Sequence, residues 1–465
     1  MKRNIQKFLL CLLVITSSNL SAQGFKLPNY TTFKLPNGLT ISLMEQHEVP
    51  IISVSVILPG GAIYDDEKAG LASLTAIALK HGTKNFPKVK LDEELDFLGA
   101  NVDTYATKEY AGLSSNFASK DKTKVLNIIK EIILNPVFDA AEFEKEKSRL
   151  LVSLGQQKES PRSVIGPYFE TLLFGNHVYA NVKNGNKSTV GKLTVNDVKD
   201  FYKTNYKPNE AAISIVGDFN TNEMKATITK LFSSWEKASV KIDNLASKPI
   251  ILPTENRVLL VNKSDAKETT FYIGSPGVSR NNPDYVAIEV VNTLFGGRFT
   301  SMLNDELRVN SGLTYGAGSR FNNLKNGGSF YISTFTAAKT TEPAIDKALV
   351  VLNNLHMNGI DEKALASAKN YVKGQFPPDY ETSEQLAGLL SQMFWYNLDK
   401  SFINNFEKNV DGLDLAKANQ IIAKYFPKDK LQFVLIGKSE DIKKIAEKYG
   451  KVTEVEISDD IKKMN

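Results

Sequence analysis

Histidine is the residue type in this chain with the clearest chemical potential, because a catalytic zinc ion needs three ligands from His, Asp or Glu and an open position for water. The chain has 4 histidines. They are His47, His81, His177 and His356, and no two of them lie within one helical turn of each other. The single cysteine, Cys11, lies in an apolar run near the N-terminus. The histidines therefore do not form a pair one helical turn apart, which is the arrangement that supplies two ligands to many zinc sites.

Two of these histidines lie beside turns. His81 immediately precedes Gly82, and we interpret it as a cation at the C-terminal end of a helix or as a solvated side chain. His177 lies in the stretch Asn-His-Val-Tyr at 176–179. A loop histidine is more often a hydrogen-bonding group than a metal ligand, so we expect His177 to be structural.

The stretch from Gly70 to Lys84 has the sequence Gly-Leu-Ala-Ser-Leu-Thr-Ala-Ile-Ala-Leu-Lys-His-Gly-Thr-Lys. Its Ala- and Leu-rich composition predicts a buried helix over 70–81, closed by Gly82 as the C-terminal cap. Taken alone, such a helix indicates only packing. Its frame also resembles the zinc-binding helix of the M16 (pitrilysin-like) metallopeptidases, Gly-x-Ala-His-x-x-Glu-His-x-x-x-x-Gly-Thr-Lys.

This resemblance implies where catalytic residues would lie, and none is present. In the family two His bind zinc, and a Glu between them acts as general base on the metal-bound water. The two His positions hold Ser73 and Ile77, and the Glu position holds Ala76. The third ligand, a Glu on a later helix, corresponds to Ser153. The family's substrate-binding edge strand corresponds to 103–106, which also lacks the usual pattern. The resemblance thus implies a degenerate site and no metal bound by this chain.

A second motif lies in the C-terminal half, where Arg308 and Tyr315 flank Gly312. Without further context these are a helix-end cation and a strand aromatic. The stretch also resembles the Arg-x-x-x-Gly-x-x-Tyr element of M16 peptidases, which extends from a C-terminal domain to the zinc site of a facing N-terminal domain. The resemblance implies that Tyr315 donates to the oxyanion of the scissile carbonyl and that Arg308 binds a substrate backbone carbonyl. Both contacts would be made in trans.

The elements that must position these residues occur twice in the chain. A Tyr-Lys-Pro stretch at 206–208 precedes the apolar run Ile213–Gly217, and a Tyr-Phe-Pro stretch at 425–427 precedes the run Phe433–Gly437. A repeat of this length predicts two similar domains rather than a solenoid. We expect an α+β fold, with each domain a mainly antiparallel sheet that has helices packed on one face. The duplicated M16/LuxS-like metallohydrolase fold is the same arrangement.

We place the N-terminal domain at 23–239, a linker at 240–256 and the C-terminal domain at 257–465. Residues 38–44 and 51–58 are predicted to form an antiparallel pair of strands. Apolar periodicity predicts three long helices at 122–134, 140–157 and 161–174 and another at 383–396. The region between 175 and 210 is interpreted as a loop.

The first 22 residues are predicted to be a secretory signal. A basic segment with Lys2, Arg3 and Lys7 precedes an apolar core at 8–15, which is followed by small and polar residues at 18–22. No apolar run is long enough for a transmembrane helix. We therefore expect an exported, periplasmic protein. Removing the three basic residues of the signal from the formal charge of +5 leaves +2. This near-neutral balance does not favour a nucleic-acid partner.

The sequence supports three hypotheses. The first is the non-catalytic subunit of a heterodimeric M16 zinc peptidase, inactive alone, with zinc and the peptide substrate held by a partner chain. The second is a chamber-shaped peptide-binding or structural protein with no role in proteolysis, in which Arg308 and Tyr315 are remnants. The third is an active homodimeric peptidase with unusual metal ligands, which the scattered histidines disfavour.

Overall fold

The computed structural model describes residues 25–238 and 245–464. The predicted signal at 1–22 and the first part of the predicted linker, 240–244, lie outside these residues. The strands of the first half are Thr31–Lys34 (β1), Thr40–Glu45 (β2), Ile51–Pro59 (β3), Asn101–Ala106 (β4), Tyr110–Ala118 (β5) and Ala212–Gly217 (β6). Those of the second half are Arg257–Asn262 (β7), Glu268–Pro276 (β8), Ala317–Leu324 (β9), Gly327–Ala337 (β10), Gln432–Gly437 (β11) and Lys451–Glu456 (β12).

Within the described residues these strands form two six-stranded sheets, with the orders β1-β2-β6-β3-β5-β4 and β12-β7-β11-β8-β10-β9. Five consecutive strands of each sheet, β2-β6-β3-β5-β4 and β7-β11-β8-β10-β9, therefore follow the same pattern. In both, the strand that comes last in the chain lies between the first two. The sixth strands differ, because β1 pairs antiparallel with β2 whereas β12 pairs parallel with β7. The predicted α+β class is confirmed, and the two sheets have the duplicated topology.

The apolar runs that marked the duplication are central strands. Both β6 and β11 are buried at every residue, as is usual for strands that are covered on both faces. The predicted antiparallel pairing of 38–44 with 51–58 is wrong. Strand β6 lies between β2 and β3, parallel to the first and antiparallel to the second. The last strand of the half is thus inserted between its first two long strands.

The α-helices of the first half are Leu71–Ala78 (α1), Lys88–Leu98 (α2), Lys122–Leu134 (α3), Ala140–Gln157 (α4), Pro161–Phe174 (α5), Lys187–Lys192 (α6), Val195–Asn205 (α7) and Thr221–Phe232 (α8). The interpretation of 175–210 as a loop is wrong, because α6 and α7 lie there. Helix α7 begins with a capping box in which Thr194 and Asp197 each bind the other's backbone N–H. That Thr-x-x-Asp pattern was a usable sequence signal.

The α-helices of the second half are Tyr285–Asn292 (α9), Met302–Asn304 (α10), Thr341–Asn358 (α11), Glu362–Gln375 (α12), Ser383–Tyr396 (α13), Lys400–Asn404 (α14), Phe406–Asp411 (α15), Leu415–Tyr425 (α16) and Ser439–Ala446 (α17). Two π-helical turns, Thr293–Gly297 and Asp305–Asn310, continue α9 and α10. Short 3-10 turns occur at Ala62–Tyr64, Ser119–Asp121, Val178–Ala180, Pro208–Glu210, Leu245–Ser247, Ala338–Thr340 and Pro377–Tyr380. No helix in the described part of the chain is long and apolar enough to span a bilayer.

Helix α5 of the first half packs across the sheet of the second half. The Phe169 ring lies edge-on against Tyr272 of β8 and Tyr331 of β10, with centroid distances of 5.8 and 5.9 Å. A Cβ on Gly274 would lie 2.9 Å from the tip of the Phe169 ring and 1.9 Å from the carbonyl oxygen of Phe330. Glycine is therefore required at this position of β8 so that α5 and the neighbouring strand can approach.

Conversely, helix α13 of the second half packs across β3 and β6 of the first sheet. The Ser391 hydroxyl donates to the carbonyl oxygen of Ser55 (3.2 Å) and forms a second hydrogen bond with the Ser214 hydroxyl (3.0 Å), in which the Ser391 oxygen can accept. Each sheet therefore has helices of its own half on one face and a helix of the other half on the second face. The prediction of helices on one face is correct within a half, but it missed this exchange.

The chain ends also cross between the halves. The backbone N–H of Phe25 donates to the Glu407 carboxylate (3.0 Å), and its ring stacks on Tyr380 of the second half. In the opposite direction, the C-terminal segment beyond β12 contacts the first half, where Asn186 exchanges two hydrogen bonds with the backbone of Ile461 (2.8 and 3.0 Å). Both ends therefore join the halves.

A buried carboxylate links the hairpin turns of the two sheets. Glu109, in the β4–β5 turn, is 2% exposed and accepts from the backbone N–H of Lys325 in the β9–β10 turn (3.0 Å). It also accepts from the Tyr179 hydroxyl and from the Trp395 indole N–H (3.4 Å). Burial raises the pKa of this carboxyl, although these donors oppose the shift. Glu109 thus accepts hydrogen bonds from residues of both halves.

Candidate functional site

Helix α1 is the predicted zinc helix, and it packs against α4 and the edge strand β4. Its first turn is capped by the buried Asp65 carboxylate, which accepts from the backbone N–H groups of Gly70 (2.9 Å) and Ala72 (2.8 Å). After the helix, Gly82 has a φ of +105°, and Thr83 forms an isolated bridge with Pro136. The frame of the motif is therefore fixed by backbone contacts.

The four ligand and base positions carry no group that could activate water. The Ser73 hydroxyl donates to the carbonyl oxygen of Lys183 (2.9 Å), and Ala76 is fully buried. Ile77 presents an apolar side chain that is 36% exposed. Ser153, on α4, accepts from the Gln157 amide (3.2 Å). These residues do not fit a catalytic zinc ion, because that ion requires imidazole or carboxylate ligands.

Elsewhere in the described residues, no group of three or more His, Cys, Asp or Glu side chains is placed to hold a metal ion. His81 is 3% exposed, and neither ring nitrogen has a hydrogen-bond partner. Burial lowers its pKa, although Glu146 and Glu142 of α4 oppose the shift. The interpretation of His81 as a helix-end cation or a solvated side chain is therefore wrong, since the ring is enclosed and favours the neutral form.

The other two histidines of interest have complete hydrogen-bonding roles. His177 Nδ1 accepts from the backbone N–H of Tyr179 (3.1 Å), and Nε2 donates to the carbonyl oxygen of Lys248 (3.0 Å). His47 is exposed and lies between Asp218 and Glu45, whose hydrogen bonds raise its pKa. His177 is structural, as expected.

Asp65 gives the folded chain a pH dependence with a defined sign. Burial raises its pKa from 3.8 to about 8, against the opposing effects of two backbone donors and Lys108. The folded state therefore keeps a proton that the unfolded state releases between these values. The stabilisation is fully present below pH 3.8 and is lost as the pH rises through about 8, with a slope of up to about 1.4 kcal/mol per pH unit.

We expect Asp65→Asn, which keeps an oxygen acceptor for the helix N-terminus, to abolish this slope. The measurement is the urea unfolding midpoint at intervals from about pH 5 to about pH 9, which covers the fall in stability up to the folded-state pKa of about 8 and the plateau above it. The wild-type midpoint should fall across this range more steeply than that of the variant. Parallel profiles would show that Asp65 is not the group that titrates.

Arg308 and Tyr315 lie on one continuous segment that runs from the second π-helical turn to β9. The Arg308 guanidinium lies over the ring of Phe299, 4.8 Å from its centroid. The Tyr315 side chain is 83% exposed. Between them, the backbone folds back on the helix end, because Leu313 N–H donates to the carbonyl oxygen of Leu307 (2.8 Å). Both side chains are thus displayed by an ordered turn, and π-helical turns are frequent at functional sites.

The backbone is anchored on both sides of Tyr315. The Thr334 hydroxyl donates to the carbonyl oxygen of Gly316 (2.8 Å), and the Thr336 hydroxyl donates to that of Leu313 (2.7 Å). Asn304 accepts from the backbone N–H of Ala317 (3.2 Å). An exposed tyrosine on a fixed backbone can contact another molecule with little loss of backbone freedom.

Sequence reasoning missed the apolar neighbours of this pair. Phe299 and Val309 are each 65% exposed, and Phe299 orients the Arg308 guanidinium. Large exposed apolar side chains that cluster near functional groups mark interaction surfaces. The glycine pair at 296–297 was the available signal. A Cβ on Gly296 would lie 2.3 Å from the Ser319 hydroxyl, so close packing under this surface requires glycine.

Two protein-family models match the chain. "Insulinase (Peptidase family M16)" matches residues 40–181, and "Peptidase M16 inactive domain" matches residues 192–372. The chain belongs to the M16 peptidase family. The first range lies within the first half, whereas the second begins at the end of α6 of the first half and ends within α12 of the second. The recognition made from the degenerate helix is confirmed. The predicted zinc positions Ser73, Ala76, Ile77 and Ser153 all lie within the range matched by the insulinase model.

Curated relatives of this M16 chain carry names of different kinds. It is 23% identical over 440 residues to "Non-peptidase homolog YmxG" of Helicobacter pylori, covering 93% of this chain and 99% of the relative. It is 21% identical over 348 residues to "Uncharacterized zinc protease YmxG" of Bacillus subtilis, covering 75% and 83%. It is 27% identical over 272 residues to "Cytochrome b-c1 complex subunit 1, mitochondrial" of Rattus norvegicus, covering 56% and 54%.

Solved structures support the same family assignment. A peptidase M16 inactive domain from Pseudomonas fluorescens matches with a TM-score of 0.81 and 25% identity, covering 88% of this chain and 98% of that chain. A protease from Helicobacter pylori matches with a TM-score of 0.82 and 20% identity, covering 88% and 100%. The second match supports the fold alone. The first match, the family models and the relative named a non-peptidase homolog support an inactive member of the M16 family.

Proposed function

We propose that this chain is the non-catalytic subunit of a two-chain M16 zinc peptidase in the periplasm. A second M16 chain supplies the zinc ion and the general base, and this chain supplies contacts to the peptide in trans. Tyr315 donates to the oxyanion that develops at the scissile carbonyl. Arg308 donates from its guanidinium to a backbone carbonyl oxygen of the same peptide. This chain needs no metal of its own.

The observation that carries the proposal is the contrast between the two halves. The M16 zinc positions at Ser73 and Ile77 hold no ligands, whereas Tyr315 extends into solvent from a backbone that is anchored on both sides. A preorganised donor aimed at developing charge lowers a barrier by a few kcal/mol. An oxyanion donor acts next to a catalytic centre, and the described residues contain no group placed to hold a catalytic metal ion.

The experiment that tests the proposal is a pull-down of the mature protein from its native extract. The eluate is analysed for zinc and for chelator-sensitive peptidase activity. We expect a second M16 chain with one zinc ion per pair and activity that neither chain shows alone. Elution of this chain alone, free of metal and without activity, would contradict the proposal.

The second candidate function is a structural or peptide-binding role without proteolysis. It is favoured by the similarity to a protein named as a subunit of the cytochrome b-c1 complex and to one named a non-peptidase homolog. In that case the same pull-down recovers proteins that are not peptidases. The third hypothesis, a homodimeric peptidase with unusual ligands, gains no support from the described residues, because they contain no candidate metal group.

A further inference from the structure

A cavity of about 460 Å³ lies where the C-terminal segment crosses onto the first half. We call it the seam cavity. Its walls are the end of α4, the start of α5, the loop 182–187 and the segment 458–461. The carbonyl oxygen of Lys183, in the loop 182–187, accepts a hydrogen bond from the Ser73 hydroxyl. The cavity therefore lies next to a predicted zinc position. Arg308 and Tyr315 are not among its lining residues.

The wall contributed by the C-terminal segment is held by specific contacts. The Lys158 ammonium donates to the carbonyl oxygens of Ser458 (2.8 Å) and Asp459 (2.7 Å). Asn186, as described above, exchanges two hydrogen bonds with the backbone of Ile461. The cavity is therefore formed before any ligand arrives, which lowers the cost of binding.

The lining combines apolar walls with an excess of positive charge. Val164, Pro167, Val182 and Ile461 supply the apolar surface. The lining residues include four lysines (Lys108, Lys158, Lys183 and Lys187) and two carboxylates (Glu170 and Asp460), and Lys108 is already paired with Glu170 (2.7 Å). An ammonium group has three N–H donors, and Lys158 uses two of them for the C-terminal segment. The chemistry that matches such a lining is an apolar group with a carboxylate attached.

We propose that the seam cavity binds the C-terminal end of a peptide. The last side chain packs against Val164, Val182 and Ile461, and the terminal carboxylate lies among the lysines. The volume is within the range of small-ligand sites, about 300–1,000 Å³, and so takes a few residues rather than a folded domain. The choice of a peptide over another apolar carboxylate rests on the proposed function.

The lining offers a variant that fills the cavity without disturbing the fold. Gly155 lies in the last turn of α4, and a Cβ there would have no heavy atom within 4 Å. In Gly155→Leu the new side chain enters the open volume, and helix propensity improves. Gly374, in the last turn of α12, likewise has open space around an added Cβ. Gly374→Leu is therefore the matched control.

The test is calorimetric titration of the whole mature chain, without any partner, with the probe acetyl-Ala-Leu-Phe and its C-terminal amide. We expect saturable binding of the acid, weakened at least about tenfold in the amide and in Gly155→Leu, and unchanged in Gly374→Leu. Equal affinity for acid and amide, unchanged affinity in Gly155→Leu, or no binding would overturn the proposal. Tighter binding of decanoate than of the peptide would overturn the choice of a peptide. Because no partner is present, failure here is distinct from failure of the trans-contact proposal.

Discussion

Tyr315→Phe is expected to lower the kcat of the assembled peptidase pair by roughly 10²–10³-fold, the usual effect of removing one oxyanion donor. The ring remains, so assembly should not change. The side chain is 83% exposed, and we expect the stability of the isolated chain to change by less than about 0.5 kcal/mol. The measurement is kcat and KM of the reconstituted pair on a fluorogenic peptide, with complex formation followed by size-exclusion chromatography.

Tyr371→Phe is the matched control, because Tyr371 is an exposed tyrosine on α12 that lies beside Arg298 rather than Arg308. It should leave both kinetic constants unchanged. A Tyr315→Phe pair with a raised KM and an unchanged kcat would assign Tyr315 to ground-state binding instead. If neither constant moved, the oxyanion role would be wrong.

Glu109→Ala should destabilise the folded chain by about 3 kcal/mol, because it leaves buried donors unpaired. The Lys325 backbone N–H, the Trp395 indole N–H and the Tyr179 hydroxyl all donate to this carboxylate. Glu109→Gln keeps one oxygen acceptor and should lose about 1 kcal/mol. Urea unfolding followed by tryptophan fluorescence reports directly on this region, since Trp395 is one of the donors.

Glu440→Ala provides the comparison for the loss of an exposed glutamate, since Glu440 pairs only with Lys438 on the surface. Its urea midpoint should be the same as that of the wild type. If Glu109→Ala unfolded at the same midpoint as Glu440→Ala, the carboxylate would not join the halves. An intermediate in which one half unfolds first would show instead that the two halves are only weakly coupled.

The sequence predicted local elements well wherever the apolar period was strong. Helices α3, α4, α5 and α13 have the bounds that periodicity predicted. It did not predict which half α5 and α13 pack against, because a helix face that contacts a sheet has the same period whichever sheet it contacts. It also paired β2 with β3, although the later strand β6 lies between them.

The sequence predicted those features of the candidate site that depend only on which residue type occupies a position. The absence of ligands at Ser73 and Ile77 follows from the frame of the motif. The enclosure of His81 does not, because it depends on how α4 lies against the helix end. Phe299 was missed for a similar reason. Its contact with Arg308 is made between two turns whose relative position is fixed only by tertiary structure.

The exchange of helices between the halves dictates when this chain can fold. The last strand of the first sheet ends at Gly217, but the helix that covers the second face of this sheet begins at Ser383. During synthesis the second face of the first sheet, which carries Ser55 and Ser214, therefore stays uncovered until most of the chain has emerged. Folding must wait for contacts that are far apart in sequence, which are slow to form. A chain truncated before Ser383 consequently lacks the helix that covers this face, and we expect its first half to be less stable than in the whole chain.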